Sequence, residues 1–203
     1  MRLAELIAAA GPLLVGTGCT QISLDNPLRY RDVAPEERLH VPCYYALDPA
    51  TDALVLKEGG YRVKMGPAIA EQMRAALAGL CRGTGRVRDR EEFLGLTRDE
   101  PAVLFTVTAT AKMDAKLFTW AVNAGRIEGQ ALVAGPGDAE PLRYPYSGSG
   151  EKRQYFAEAG SGAEGLRRAL GEATQYLADA ARRDRALIER LAHATRAVKP
   201  AAP

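Results

Sequence analysis

The 203-residue chain contains three cysteines, two histidines and a serine set among glycines, and these are the side chains whose types and spacing invite chemistry. Cys19 closes an uncharged run of apolar and small residues, Leu6 to Cys19, which ends Leu13-Leu14-Val15-Gly16-Thr17-Gly18-Cys19 and follows a positive Arg2. A bilayer span takes about 20 apolar residues, so this run is too short to cross one. A positive start, an apolar middle and small residues before the end mark a processed export segment. A cysteine in the last position is where a lipoprotein signal receives its acyl chains. Gly16, three before the cysteine, and Glu5, near the start, depart from the usual pattern. The competing reading is a helix over Leu3 to Ala10, stopped by Gly11-Pro12, with Cys19 a free buried thiol.

On the lipidation reading, residues 1 to 18 are removed and Cys19 becomes the acylated N-terminus. Thr20, standing where an aspartate would retain the product, sorts it to the outer membrane. Cys43 and Cys81 are then the remaining thiols, an even pair in a compartment that oxidises them. A bridge between them would stabilise the fold by roughly 3 to 4 kcal/mol on the chain-entropy model. Two separate buried thiols fit the sequence equally well.

The other candidates lack partners at the required spacing. Ser147-Gly148-Ser149-Gly150 does not have the Gly-x-Ser-x-Gly order of a nucleophile elbow, and neither His40 nor His193 lies where a base would be expected. That segment reads as a flexible loop. Gly83-Thr84-Gly85 resembles the start of a dinucleotide fingerprint, but Arg88 occupies the third glycine's place and the segment follows a helix, so it reads as a turn. His40 has no cluster of cysteine, histidine or carboxylate residues at ligand spacing nearby, so no metal or other cofactor is expected. At 47% apolar, 26% charged and net +2, the composition is that of an ordinary soluble fold. Its cations alternate with acids, so nucleic-acid binding is not expected.

The elements that must position these residues follow from periodicity. Residues 19 to 38 carry two prolines and no sustained pattern, and read as a tether that holds the domain off the membrane. Leu39 to Leu47 reads as a strand, Asp48 to Asp52 as a turn, and Ala53 to Lys57 and Tyr61 to Met65 as extended pieces. Gly66-Pro67 opens a helix whose apolar face is Ile69, Met73, Leu77 and Leu80 or Cys81. Asp89 and Glu92 have capping spacing for a short helix through Phe93 and Leu94. From Ala102 to Met113, Val103, Phe105, Val107, Ala109, Ala111 and Met113 alternate with threonines and Lys112, as in a sheet with one buried face and one wet face. A partner strand over Leu117 to Ala134 changes parity after Val122, so a bulge near Gly125 or Gly129 is expected. Pro141 to Tyr146 reads as the third strand of the meander.

Ser161 and Glu164 form a capping box for the longest helix, with Leu166, Leu170, Ala173, Leu177 and Ala180 on one stripe. If it continued unbroken through Leu187 and Leu191 it would measure about 45 to 50 Å, longer than such a domain is wide. It must therefore either break and fold back or project. Leu187, Ile188 and Leu191 are the partner-binding candidates on a projecting helix; a frayed tail is the other outcome. The expected organisation is a signal at 1–18, a tether at 19–38, one α+β domain at 39–181, and a helical extension with a tail at 182–203. The sheet should be rich in antiparallel pairs, with the two main helices on one face.

This combination resembles the small YajG-type bacterial lipoproteins: a tether after Cys19, a helix at Pro67 to Cys81, a hairpin at Ala102 to Ala134, the Tyr146-Ser147-Gly148-Ser149-Gly150 loop, and a capped helix at Ser161. The resemblance spans residues 19 to about 182. It implies a fold shared with the N-terminal domain of TolB and with lipoprotein activators of penicillin-binding proteins. It also implies a non-enzymatic envelope accessory that meets the membrane through its lipid and binds a protein partner or a second copy of itself. No catalytic residue carries over. An auxiliary lipoprotein of a lipid or solute transporter is the alternative, and a hydrolase finds no supporting spacing.

Overall fold

The computed structural model describes residues 20–22, 24, 34, 36, 38–58, 61–97, 100–114, 122–153 and 161–198. The expected signal, Cys19 and the start of the expected partner strand at Leu117 lie outside them. In chain order the elements are β1 (Thr20–Ile22), β2 (Leu39–Leu47), α1 (Pro49–Asp52), β3 (Val55–Glu58), β4 (Tyr61–Lys64), α2 (Met65–Leu80), β5 (Cys81–Arg86), α3 (Arg90–Leu96), β6 (Val103–Asp114), β7 (Val122–Ala134), β8 (Leu142–Arg153), α4 (Ser161–Arg183) and α5 (Arg185–Val198).

The main sheet runs β5-β2-β6-β7-β8. β2 pairs in parallel with both β5 and β6, and only β6–β7 and β7–β8 are antiparallel, so the sheet is mixed. The chain leaves β2, makes a short hairpin and α2, and returns as β5 beside β2. It then crosses back through α3 to place β6 on β2's other side. Local periodicity cannot foretell such crossovers, which is why an antiparallel-rich sheet was the expectation.

One apolar core joins α2 and α4 to the same face of this sheet: Ile69, Met73 and Leu77 meet Phe105, Ile127, Leu166 and Leu177 in a single cluster. The alternation of β6 positions it, with Val103, Phe105, Val107 and Met113 buried while Thr108, Thr110 and Lys112 stay exposed. On the opposite face α3 covers a second, smaller cluster of Ala46, Val87, Phe93, Ala102 and Leu104. Tyr44 packs edge-on against Phe93 there, with ring centroids 5.7 Å apart. The short helix has the cap its sequence suggests: Asp89 accepts from the Glu92 N–H at 2.9 Å, while the Glu92 carboxylate accepts from the Arg88 N–H at 2.6 Å.

Several glycine-rich segments differ from their expectations. Ser147–Gly150 lies within β8, and Gly83–Gly85 lies within β5, rather than in a loop and a turn. The register of β7 with β6 runs unbroken from Asp114↔Ala124 to Leu104↔Ala134, with no bulge. The parity change has another cause. Val122 is 39% exposed and simply faces the wet side, while Ile127 and Val133 face the core. Gly125, Gly148 and Gly150 are there because α4 crosses the sheet at main-chain contact. A Cβ on Gly125 would sit 2.3 Å from the Leu166 Cα, one on Gly148 2.0 Å from the Ala169 carbonyl oxygen, and one on Gly150 2.3 Å from that of Gly165.

The start of the expected tether is also corrected, while most of the rest of it lies outside the described residues. Thr20, Gln21 and Ile22 pair in parallel with Tyr61, Arg62 and Val63, which makes β1-β4-β3 a second, three-stranded sheet. Leu24 is buried in the main core. The Asp48–Asp52 turn is a single turn of helix, with the Thr51 hydroxyl accepting from the Ala109 N–H at 2.9 Å.

Candidate functional site

The connection between α2 and β5 builds the disulfide bridge. Cys81 begins β5 directly after Leu80 ends α2, and its N–H still closes the helix on the Leu77 carbonyl. The buried stripe of Ile69, Met73, Leu77 and Leu80 presses the helix on the sheet, which brings Cys81 beside β2. Cys43 and Cys81 are disulfide-bonded, with Cα atoms 5.9 Å apart and 38 residues between them in sequence. That spacing is ordinary for a bridge. Both residues are buried, so the bond staples an edge strand to the sheet's interior.

At the other end of the core the long helix breaks at Asp184. The Asp184 carboxylate accepts from the Ala186 and Leu187 N–H groups at 2.7 and 3.3 Å, which caps α5, and from the Tyr144 hydroxyl at 2.6 Å, which ties that cap to β8. The Tyr144 hydrogen bond, helped by those main-chain donors and by Arg190, holds this carboxyl below its ordinary value of 3.8 against the opposing effect of burial. Burial and Asp184 together push the Tyr144 phenol up. Arg190 reaches the turn between β7 and β8, donating to the Glu140 carbonyl at 2.8 Å and to the Asp138 carboxylate at 3.4 Å. Arg90 of α3 holds the same turn through the Asp138 carbonyl.

Of the three partner-binding candidates, only one faces solvent. Leu187 is 2% exposed and belongs to the main core, and Leu191 packs against it. Ile188 is 46% exposed. The expected boundary after Ala181 therefore falls inside the packed structure, because the capped break lets α5 fold back. The length of the helical pattern hinted at a break, but only the Tyr144 and Arg190 contacts fix its direction.

Ser149 is exposed and its N–H donates to the Glu172 carboxylate at 2.7 Å. Arg168 donates to the Glu151 carbonyl at 3.2 Å. Side chains of α4 thus occupy main-chain groups of the edge strand β8, a common protection against further strand pairing. His40 is exposed, and no cluster of potential metal ligands occurs among the described residues. No helix among the described residues is long and apolar enough to cross a membrane. An open groove of about 460 Å³ lies at the far end of β6, β7 and β8, lined by Lys112, Asp114, Arg126, Ser149 and Glu151 among others. Its charges are of both signs and Arg126 is paired with Glu128 at 2.5 Å.

No family model and no curated protein matches the sequence. Solved structures similar in fold include a Xanthomonas campestris protein of the DUF330 family, at TM-score 0.48 and 13% identity over 78% of this chain and 92% of that one. A minor lipoprotein of Acinetobacter baumannii aligns at TM-score 0.41 and 9% identity, over 71% of this chain and 92% of that one. The rare lipoprotein B of Shewanella oneidensis aligns at TM-score 0.36 and 12% identity, over 78% and 98%. Likenesses of this extent assign no role to this chain.

Proposed function

We propose that this protein is a lipid-anchored, non-enzymatic accessory of a bacterial cell envelope, held by acyl chains on Cys19 and facing the periplasm from the outer membrane. The observation that carries the reading is the Cys43–Cys81 bridge. Structural disulfides persist in oxidising compartments and are rare in the cytosol, so the bond and the export-like run before Cys19 point to the same address. Its work is to hold a protein partner or a second copy, and the contact on α5 is confined to the face that bears Ile188.

Radiolabelled palmitate tests the anchor. It should enter the wild-type protein and be absent from Cys19→Ser, with the labelled product in the outer-membrane fraction. Equal labelling of the two proteins would end the lipoprotein reading.

A further inference from the structure

The chain joins the fold at Thr20, one residue after Cys19, because β1 pairs with β4 and Leu24 is buried. An acyl chain on Cys19 would then be one Cα–Cα step, about 3.8 Å, from a hydrogen-bonded strand. Such an anchor cannot hold the domain off the bilayer. It would bring the start of β1 to the headgroups.

The charges on the small sheet β1-β4-β3 suit this position. Val63 is fully buried and Leu56 packs against the core, so alternation turns Lys57, Arg62 and Lys64 to the other face, where all three are exposed. Lys57 stands directly opposite Arg62 in the antiparallel register, and Arg62 lies opposite Gln21, two residues beyond Cys19. Like charges placed opposite one another repel. Carboxylates relieve other arginines, such as Arg86 with Asp52 at 2.8 Å. Lys57, Arg62 and Lys64 form no ion pair with any described residue. The field of an anionic surface decays within a Debye length of about 8 Å at physiological salt, so only cations close to the anchor can use it. Strand pairing brings Arg62 beside Gln21 and Lys57 beside Arg62, and Lys64 follows on the same face.

We infer that the outward face of the β1-β4-β3 sheet is a membrane-docking surface on which Lys57, Arg62 and Lys64 take the phosphate oxygens of anionic phospholipid headgroups. The inference rests on the anchoring reading for its biological setting, but headgroup binding can be measured without the lipid.

The test uses the mature chain, residues 19–203, carrying Cys19→Ser, sedimented with vesicles of phosphatidylcholine alone or with about one quarter phosphatidylglycerol. Binding should require the anionic lipid and be released by raised salt. Replacing all three cations with glutamine should lower partitioning on the order of 100-fold, at about fivefold for each, while the melting temperature stays within a few degrees. If the triple variant does not fold, Lys57→Gln alone should show its fivefold share. Equal binding to the two vesicle types, or equal binding of folded variant and parent, overturns the inference. Absence of palmitate from the wild type would instead remove the anchor and leave the headgroup result standing separately.

Discussion

The two main helices share one face of the sheet but reach it by different means. α2 presents large side chains, Ile69, Met73, Leu77 and Leu80, to β2 and β5, and a disulfide ties its end in place. α4 also carries leucines, but where it crosses β7 and β8 its Gly165, Ala169 and Ala173 lie against Gly125, Gly148 and Gly150. At α2 stability comes from filled volume, which a smaller residue reduces by degrees. At α4 it comes from main chains in contact, and there any added atom must displace backbone. The first interface should be sensitive to what is removed and the second to what is added.

The largest effect should come from breaking the second. Gly148→Val places its Cβ against the Ala169 carbonyl, and because that obstruction is main chain we expect a loss of about 4 kcal/mol or more by denaturant titration. Leu77→Ala, at a residue 1% exposed on α2, should cost about 3 kcal/mol. If Gly148→Val proves milder than Leu77→Ala, α4 can lift without harm and the contrast between the helices fails.

Asp184 sharpens the comparison, since it ends α4 and joins the following helix to β8. Its carboxyl titrates below the ordinary value in the folded protein. The stability it contributes is therefore complete above about pH 4 and is lost as pH falls through the depressed folded value. Asp184→Asn should cost about 1 kcal/mol at pH 7 and give a flatter stability profile than wild type between pH 5 and pH 2. Parallel profiles would mean that the cap is not coupled to the fold.

The smallest effect should come from a glycine outside the close crossing. A Cβ on Gly83 meets nothing within 4 Å, so Gly83→Ala should be neutral, or stabilising by about 0.5 kcal/mol through a less flexible unfolded chain. A clear destabilisation would show that β5 is packed by something other than its described neighbours.

By itself the sequence determined those features whose cause is local. The alternation from Val103 to Met113 is recorded in consecutive residues, as are the three-and-four spacing from Ile69 to Leu80 and the Asp89–Glu92 cap, and each stands in the structure as read. The candidate site was legible only in its cysteines, and there both a bridge and two thiols remained open. Tertiary structure decided the rest. A glycine in a sequence records only that no side chain is present; whether the chain turns there or another main chain fills the space depends on residues far away, as with Gly148 against Ala169. For the same reason Thr20 to Leu24 looked like a tether until β4 supplied its partner strand and the core supplied a place for Leu24. Leu187 looked like part of a projecting face until Tyr144 and Asp138 held the helix back. Periodicity identifies an apolar face, but what covers that face is set by the contacts that fold the chain back on itself.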